Sequence, residues 1–158
     1  MNRSSRWRLI SLGLAALVLL LDQISKGWAQ ASLAIGSNRG WLPGLLDLQL
    51  VYNRGAAFSL FTGATPVLAL ISAAVAAVLV SWILLMRQGR PLALVAAGLL
   101  LGGTLGNGLD RWRLGAVIDF LALVPVRFPV FNVADVAINL AVLVFALDLL
   151  RQHGSSED

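Results

Sequence analysis

The sequence contains no cysteine and a single histidine, His153, which lies in a polar tail beside Gly154. Without cysteine there is no thiol nucleophile, no disulfide framework and no thiolate ligand for a metal. One histidine cannot build a Ser-His-Asp triad or a zinc site with several histidines. If the protein is a hydrolase, its carboxylates must therefore carry the chemistry.

Charge is also scarce, because only 13% of the 158 residues are charged while 58% are hydrophobic, and the mean hydropathy is +0.82. Soluble domains are about half apolar and about one quarter charged, so the composition indicates a membrane protein, with the length of one domain. The net charge of +4 is not concentrated on one face or helix, and we expect no nucleic-acid partner. Basic loops beside apolar spans account for it better.

A helix needs about 20 apolar residues to cross a bilayer, and four segments meet this requirement. The sequence therefore predicts an all-α membrane protein, a four-helix bundle in one domain covering residues 1–158. The predicted spans are Leu9–Ala31, Val67–Met86, Leu92–Leu109 and Val133–Leu150.

The first span also resembles a cleavable signal peptide, with arginines before the apolar run and Ala29-Gln30-Ala31 after it. Against this, Asp22, Gln23 and Lys26 separate the run from the supposed cleavage site. A helix continued through them gives a full span, so we favour a retained helix.

An even number of spans places both termini on one side of the membrane. Basic residues in short helix flanks mark the cytoplasm, and this set comprises Arg3, Arg6, Arg8, Arg87, Arg90 and Arg151. The basic residues of the other side fall mostly within polar motifs: Lys26, Arg39, Arg54, Arg111, Arg113 and Arg127. We therefore predict cytoplasmic termini.

The predicted outer loops contain more structure than the inner turn. Leu46–Tyr52 partly alternates apolar with polar residues, which is typical of a half-buried strand. The glycines and proline before it, at Gly36, Gly40, Pro43 and Gly44, indicate turns. Gly55–Phe61 resembles a short amphipathic surface helix.

Three polar clusters lie at the predicted outer helix ends. One helical face carries Thr104, Asn107 and Arg111, with Asp110 beside them. The same spacing recurs in Asn132, Asp135 and Asn139, and Val117–Phe120 holds Asp119 between bulky apolar residues.

Several of these side chains also have a purely structural interpretation. Asp110 and Arg111 could cap a helix, with Arg111 paired to a carboxylate, and Asn132 could be the N-cap of the fourth helix, with Asp135 favouring its dipole. Asp22 and Lys26 are spaced to pair across one turn. Asp148 and Arg151 have the spacing of a surface pair, and Gly102, Gly103 and Gly106 that of a helix-packing motif.

Asp119 and Asp135 are harder to explain structurally. One continuous helix would hold them about 24 Å apart, but Pro125 and Pro129 forbid that helix and let the segment fold back. Two close carboxyls in a low-dielectric site tend to share a proton. The ionised member can then take a proton from water while the protonated member polarises a carbonyl. This is the one hydrolytic constellation that the sequence can assemble.

Five sequence boxes carry a resemblance to a known family: residues 22–26 (DQISK), 53–59 (NRGAAFS), 106–111 (GNGLDR), 117–120 (VIDF) and 131–135 (FNVAD). In this order, each beside a predicted span, they resemble bacterial lipoprotein signal peptidase, signal peptidase II, over nearly the whole chain. The segment between the two aspartates is short and lacks Trp and Tyr, so a lid there would differ.

The resemblance implies an inner-membrane peptidase that cuts prolipoproteins just before a diacylglyceryl-modified Cys, near the outer membrane face. It implies catalytic roles for Asp119 and Asp135, and orienting roles for Asn53, Asn107, Arg111 and Asn132. It implies no metal and no cofactor, and we expect membrane lipids as partners and a monomer. The strand and surface helix would form part of the substrate cradle.

Two other hypotheses remain at this stage. In a small proton-coupled transporter or channel, Asp22, Asp110, Asp119 and Asp135 would form a relay, although the second span carries no acid or base. In a non-catalytic scaffold, the polar groups would only hold helices together.

Overall fold

The computed structural model describes residues 3–55, 63–86 and 90–154. Its four helices are α1 (Arg3–Ser32), α2 (Thr65–Leu85), α3 (Pro91–Leu114) and α4 (Val133–Gly154). Each is long and apolar enough to cross a bilayer, which confirms the predicted four-helix membrane fold. The predicted surface helix at Gly55–Phe61 lies, apart from Gly55, outside the described residues.

A three-stranded antiparallel sheet accompanies the bundle, with strands β1 (Asn38–Leu42), β2 (Leu46–Asn53) and β3 (Val117–Leu123) in that order. The predicted strand is confirmed as β2, but the other two strands were missed. Every residue of β1 is exposed, and the first four residues of β3 are all buried. Neither strand therefore shows the alternating burial from which a half-buried strand is predicted.

Helix α3 is the centre of the bundle. In its most apolar 18-residue stretch 61% of the residues are buried, against 17–28% in the corresponding stretches of the other three helices. Its glycines allow neighbouring backbones to approach closely. A Cβ atom at Gly102 would lie 2.7 Å from the carbonyl oxygen of Ala15 in α1, and one at Gly103 would lie 2.6 Å from that of Ala134 in α4. The predicted helix-packing role of the glycine motif is confirmed.

The sheet lies at the end of the bundle where α1 and α3 end and α2 and α4 begin, which we call the sheet end. Ile118 and Phe120 of β3 pack with Leu50 of β2 against Ala29 of α1. Helix α3 ends at Gly115, whose left-handed φ of 66° suits a residue without a Cβ atom. Because β3 begins at Val117, this tight turn fixes how β3 leaves α3.

At the opposite end of the bundle, Arg90 contacts the carboxylate of Asp148 and Arg8 contacts the carbonyl oxygen of Met86. The prediction of a surface position for Asp148 was wrong, because this side chain is buried and also accepts a hydrogen bond from Gln152 at 2.9 Å. Residue spacing along α4 could not reveal that the partner of Asp148 is Arg90, which immediately precedes α3.

We predict that Gly103→Ala lowers the free energy of unfolding by about 1–3 kcal/mol, because the new methyl group meets backbone that only a shift of α4 can move. Gly13→Ala is the matched control, since a Cβ atom at Gly13 of α1 meets nothing within 4 Å. Thermal and denaturant unfolding in detergent would measure both variants. Equal effects of the two substitutions would contradict close α3–α4 packing.

Candidate active site

Asp119 and Asp135 lie on different elements that the chain brings together at the sheet end. Asp119 is in β3 and is only 3% exposed, whereas Asp135 is half-buried in the first turn of α4. After β3 the chain turns back, and Phe131 pairs with Leu121 through N–H···O bonds of 2.8 and 2.9 Å. This bridge attaches the start of α4 to the strand that carries Asp119.

Asn132 contacts both carboxyls. Its Oδ1 accepts a hydrogen bond from the backbone N–H of Asp135 at 2.9 Å, and the Asp135 carboxylate accepts one from the Asn132 N–H at 3.2 Å. This reciprocal arrangement is a capping box and confirms the predicted N-cap. The Asn132 Nδ2 atom also donates to Asp119 Oδ1 at 2.7 Å. Through its side chain and its backbone N–H, Asn132 thus starts α4 and links the two acids.

Two further amides complete the hydrogen bonds of the acids. Asn107 of α3 donates from Nδ2 to Asp135 Oδ1 at 2.8 Å, and Asn53 of β2 donates from Nδ2 to Asp119 Oδ2 at 3.1 Å. Each carboxyl therefore accepts hydrogen bonds from two N–H groups. Such bonds favour an ionised carboxylate and hold both groups in fixed orientations.

The pKa of Asp119 is raised to about 7. Burial is the main cause, because desolvation penalises the charged form, and the negative charge of Asp135 adds to it. The amides of Asn53 and Asn132 and the positive charge of Lys26 act in the opposite direction. Near neutral pH the two carboxyls can thus hold one proton between them.

Arg111 of α3 lies beside the two acids, but it forms no ion pair with any carboxylate of the described residues, in contrast to one structural interpretation of the sequence. It donates from Nη2 to the carbonyl oxygen of Gly55 at 3.3 Å and from Nη1 to that of Asn107 at 3.4 Å. Among the described residues, Arg111 Nε is one of two buried side-chain nitrogens without a hydrogen-bond partner. The guanidinium lines the cavity described below.

A buried ion cluster lies next to the acids. Lys26 Nζ is 2.8 Å from Asp22 Oδ2 and 2.8 Å from Asp110 Oδ2, and all three side chains are at most 2% exposed. The predicted Asp22–Lys26 pair is present, but it includes Asp110 and lies inside the protein. Gln23, which sequence reasoning missed, donates to Asp110 Oδ1 at 3.1 Å. Its place in the first sequence box, beside Asp22, was the available signal.

A cavity of about 650 Å³ opens between α2 and α4. One part is polar and contains both acids, and the rest has apolar walls, to which Ile71 of α2 and Leu140 of α4 contribute. Sequence reasoning missed these wall residues because apolar side chains within a span carry no functional signal. Thr104 and Asn139, which it placed near the acids by helical spacing, also line the cavity.

Among residues 3–55, 63–86 and 90–154, no three His, Cys, Asp or Glu side chains are grouped as metal ligands. The arrangement does provide two carboxyls in one partly apolar site, the environment in which such groups share a proton and act as acid and base.

Comparison with known proteins gives a consistent result. The family model described as signal peptidase (SPase) II, Peptidase_A8, matches residues 14–151. A lipoprotein signal peptidase of Parasynechococcus marenigrum strain WH8102 is 55% identical over 145 residues, covering 92% of this chain and 91% of the relative. That of Pseudomonas aeruginosa strain UCBPP-PA14 is 39% identical over 157 residues, covering 95% and 93%.

A solved structure described as a bacterial membrane enzyme is 28% identical, with a TM-score of 0.86 over 92% of this chain and 90% of that one. The family model, the two relatives and the solved structure each match most of this chain, and the relatives and the solved structure are matched over most of their own length. The chain therefore belongs to the signal peptidase II family of lipoprotein signal peptidases.

Proposed function

We propose that this protein is a membrane aspartyl endopeptidase that removes signal peptides from diacylglyceryl-modified prolipoproteins, cutting before the lipidated Cys, with Asp119 and Asp135 as its catalytic pair. The observation that carries the proposal is the link through Asn132, which contacts both carboxyls at the polar part of an apolar cavity. Membership of a protease family supplies the reaction class.

In the proposed reaction, the ionised carboxylate takes a proton from water as the water oxygen attacks the scissile carbonyl carbon. The protonated carboxyl gives its proton to the carbonyl oxygen, which produces a tetrahedral diol. The C–N bond then breaks as the leaving nitrogen takes a proton from the pair, and one diol hydroxyl returns a proton to the pair as the carboxyl product forms. The two carboxyls act as a unit in this reaction, because two close buried carboxyls share one proton.

The four polar neighbours have orienting roles in this proposal. Asn53, Asn107 and Asn132 hold the carboxyls through the hydrogen bonds described above. Arg111 lines the cavity, where its guanidinium would orient the substrate backbone. The apolar walls would hold acyl chains and part of the signal helix, since both are apolar.

The protein is a bacterial membrane protein, and we propose that both termini are cytoplasmic and that the sheet end faces outward. Arginines in the helix flanks opposite the sheet support this orientation. We further propose that it acts as a monomer with membrane lipids around it, because one chain supplies both acids and all four polar neighbours.

The transporter hypothesis is not favoured. The two acids of the site and the Asp22–Lys26–Asp110 cluster gather at the sheet end, and α2 contains no charged residue. A relay across the bilayer requires polar groups spaced along the whole path.

We predict that Asp119→Asn and Asp135→Asn each lower the cleavage rate of a diacylglyceryl-modified prolipoprotein by about 10³-fold, because either change removes one half of the acid–base pair. Asp47→Asn on β2 is the matched control, since Asp47 contacts Asn38 away from the two acids. Cleavage by purified protein in detergent would be followed by mass spectrometry.

Both variants should remain folded, as measured by their unfolding temperature. An Asn variant that cleaves at the wild-type rate would rule out the carboxyl pair. No cleavage by the folded wild-type protein, together with a lowered unfolding temperature in both variants, would favour the scaffold hypothesis instead. Equal cleavage of a prolipoprotein that lacks the lipid would contradict the proposed substrate class.

The pKa of about 7 for Asp119 predicts the pH dependence of cleavage. As pH rises through about 7, the pair loses its last proton and the rate should fall, because no carboxyl remains to protonate the carbonyl oxygen. At acid pH the rate should fall again as the second carboxyl becomes neutral. Initial rates under subsaturating substrate would test this bell shape, and a rate independent of pH across neutrality would contradict it.

A further inference from the structure

The ammonium group of Lys26 uses all three of its donors within the protein. Besides Asp22 and Asp110, it donates to Asn107 Oδ1 at 2.9 Å. Lys26 is 1% exposed, so no water replaces these partners readily. The proposed reaction does not use this side chain, although Asn107 links it to Asp135 and Asp110 links it to the backbone just before Asp119.

The contact with Asn107 decides which way the amide of that residue faces. Asn107 Oδ1 accepts hydrogen bonds from Lys26 and from Asn132 Nδ2 at 3.1 Å, while its Nδ2 donates to Asp135. An ammonium can only donate. A flipped amide would turn its NH₂ group towards Lys26 and its oxygen towards the Asp135 carboxylate, which is unfavourable at both ends.

The other two arms of the cluster contact the backbone immediately before each acid. Asp22 Oδ1 accepts a hydrogen bond from the N–H of Ala134 at 2.9 Å, and Ala134 precedes Asp135. Asp110 Oδ2 accepts one from the N–H of Ile118 at 3.2 Å, and Ile118 precedes Asp119. A single buried lysine thus unites the groups that hold both acid-bearing segments.

We propose that Lys26 is a positioning residue for the carboxyl pair, because it fixes the amide of Asn107 towards Asp135 and holds the two carboxylates that tether β3 and α4. This inference rests on the proposed function of Asp119 and Asp135. The alternative is a purely structural role, in which the buried ion cluster only affects the stability of the bundle.

Lys26→Met should lower kcat by about 100-fold with little change in KM, because loss of the fixed amide misplaces one acid. The charged groups facing the pair are Asp22 and Lys26 from α1 and Asp110 and Arg111 from α3. Loss of the Lys26 ammonium should move the pH profile of kcat to higher pH, because the remaining negative charges favour protonation of the carboxyl pair.

Lys26→Met leaves two buried carboxylates without their cation and could unfold the protein, so the deciding variant is Asp22→Asn/Lys26→Met. It keeps the formal charge of the cluster at about −1, from one remaining carboxylate, as in the wild type. The Asn oxygen can still accept the Ala134 N–H. We expect this folded double variant to regain the wild-type pH profile while kcat remains at least about 10-fold low.

The control is Arg90→Met, which breaks the contact with Asp148 at the opposite end of the bundle. It should lower the unfolding temperature and leave kcat per folded molecule and the pH profile unchanged. A folded double variant with wild-type kcat would overturn the proposal, and so would an equal loss of kcat in Arg90→Met.

NMR of isotope-labelled aspartate carboxyls provides a readout without turnover: the titration midpoint of the pair should rise in Lys26→Met and return in the double variant. An unchanged midpoint in folded Lys26→Met would count against the proposal. Failure of the proposed function is recognised separately, because Asp135→Asn would then cleave at the wild-type rate whatever the lysine variants do.

Discussion

The buried ammonium of Lys26 is the constraint on which the sheet end depends. Removing an ion from water costs several kcal/mol even after relaxation, and only close, well-placed partners offset it. Those partners come from α1 and α3, so the two helices must approach closely. Gly106 permits this, because a Cβ atom there would lie 2.5 Å from Asp22 Oδ2. The close packing of α1 against α3 and the buried ion cluster therefore both depend on the absence of a side chain at Gly106.

The low dielectric that makes this cluster costly also gives the carboxyl pair its properties. Burial raises the pKa of Asp119 to about 7, while the amides of Asn53 and Asn132 limit the rise. Without the amides the pair would hold its protons too firmly, and without burial it would lose them all below neutral pH. The site keeps a proton available near neutral pH because burial outweighs the opposing effect of the amides.

Much of this arrangement could be predicted from sequence where the signal is local. The four spans follow from apolar length, β2 from alternation and the Asn132 cap from its place before an apolar run. Features that depend on partners distant in sequence could not be predicted. The contacts of Arg111 with carbonyl oxygens and the Asp148–Arg90 contact exist only because separate elements meet.

The strand β3 illustrates the same limit, since its first four residues are buried on both faces and show no period. Its two edges nevertheless explain where the proposed chemistry lies. Non-helical backbone has no water to bond within a bilayer and is tolerated only where protein satisfies it. Here β2 pairs with one edge and Phe131 with the other. A carboxyl carried on such a strand is therefore confined to the sheet end rather than the middle of the spans. That position suits the proposed substrate, whose lipidated Cys would sit at the membrane surface while its acyl chains enter the apolar part of the cavity.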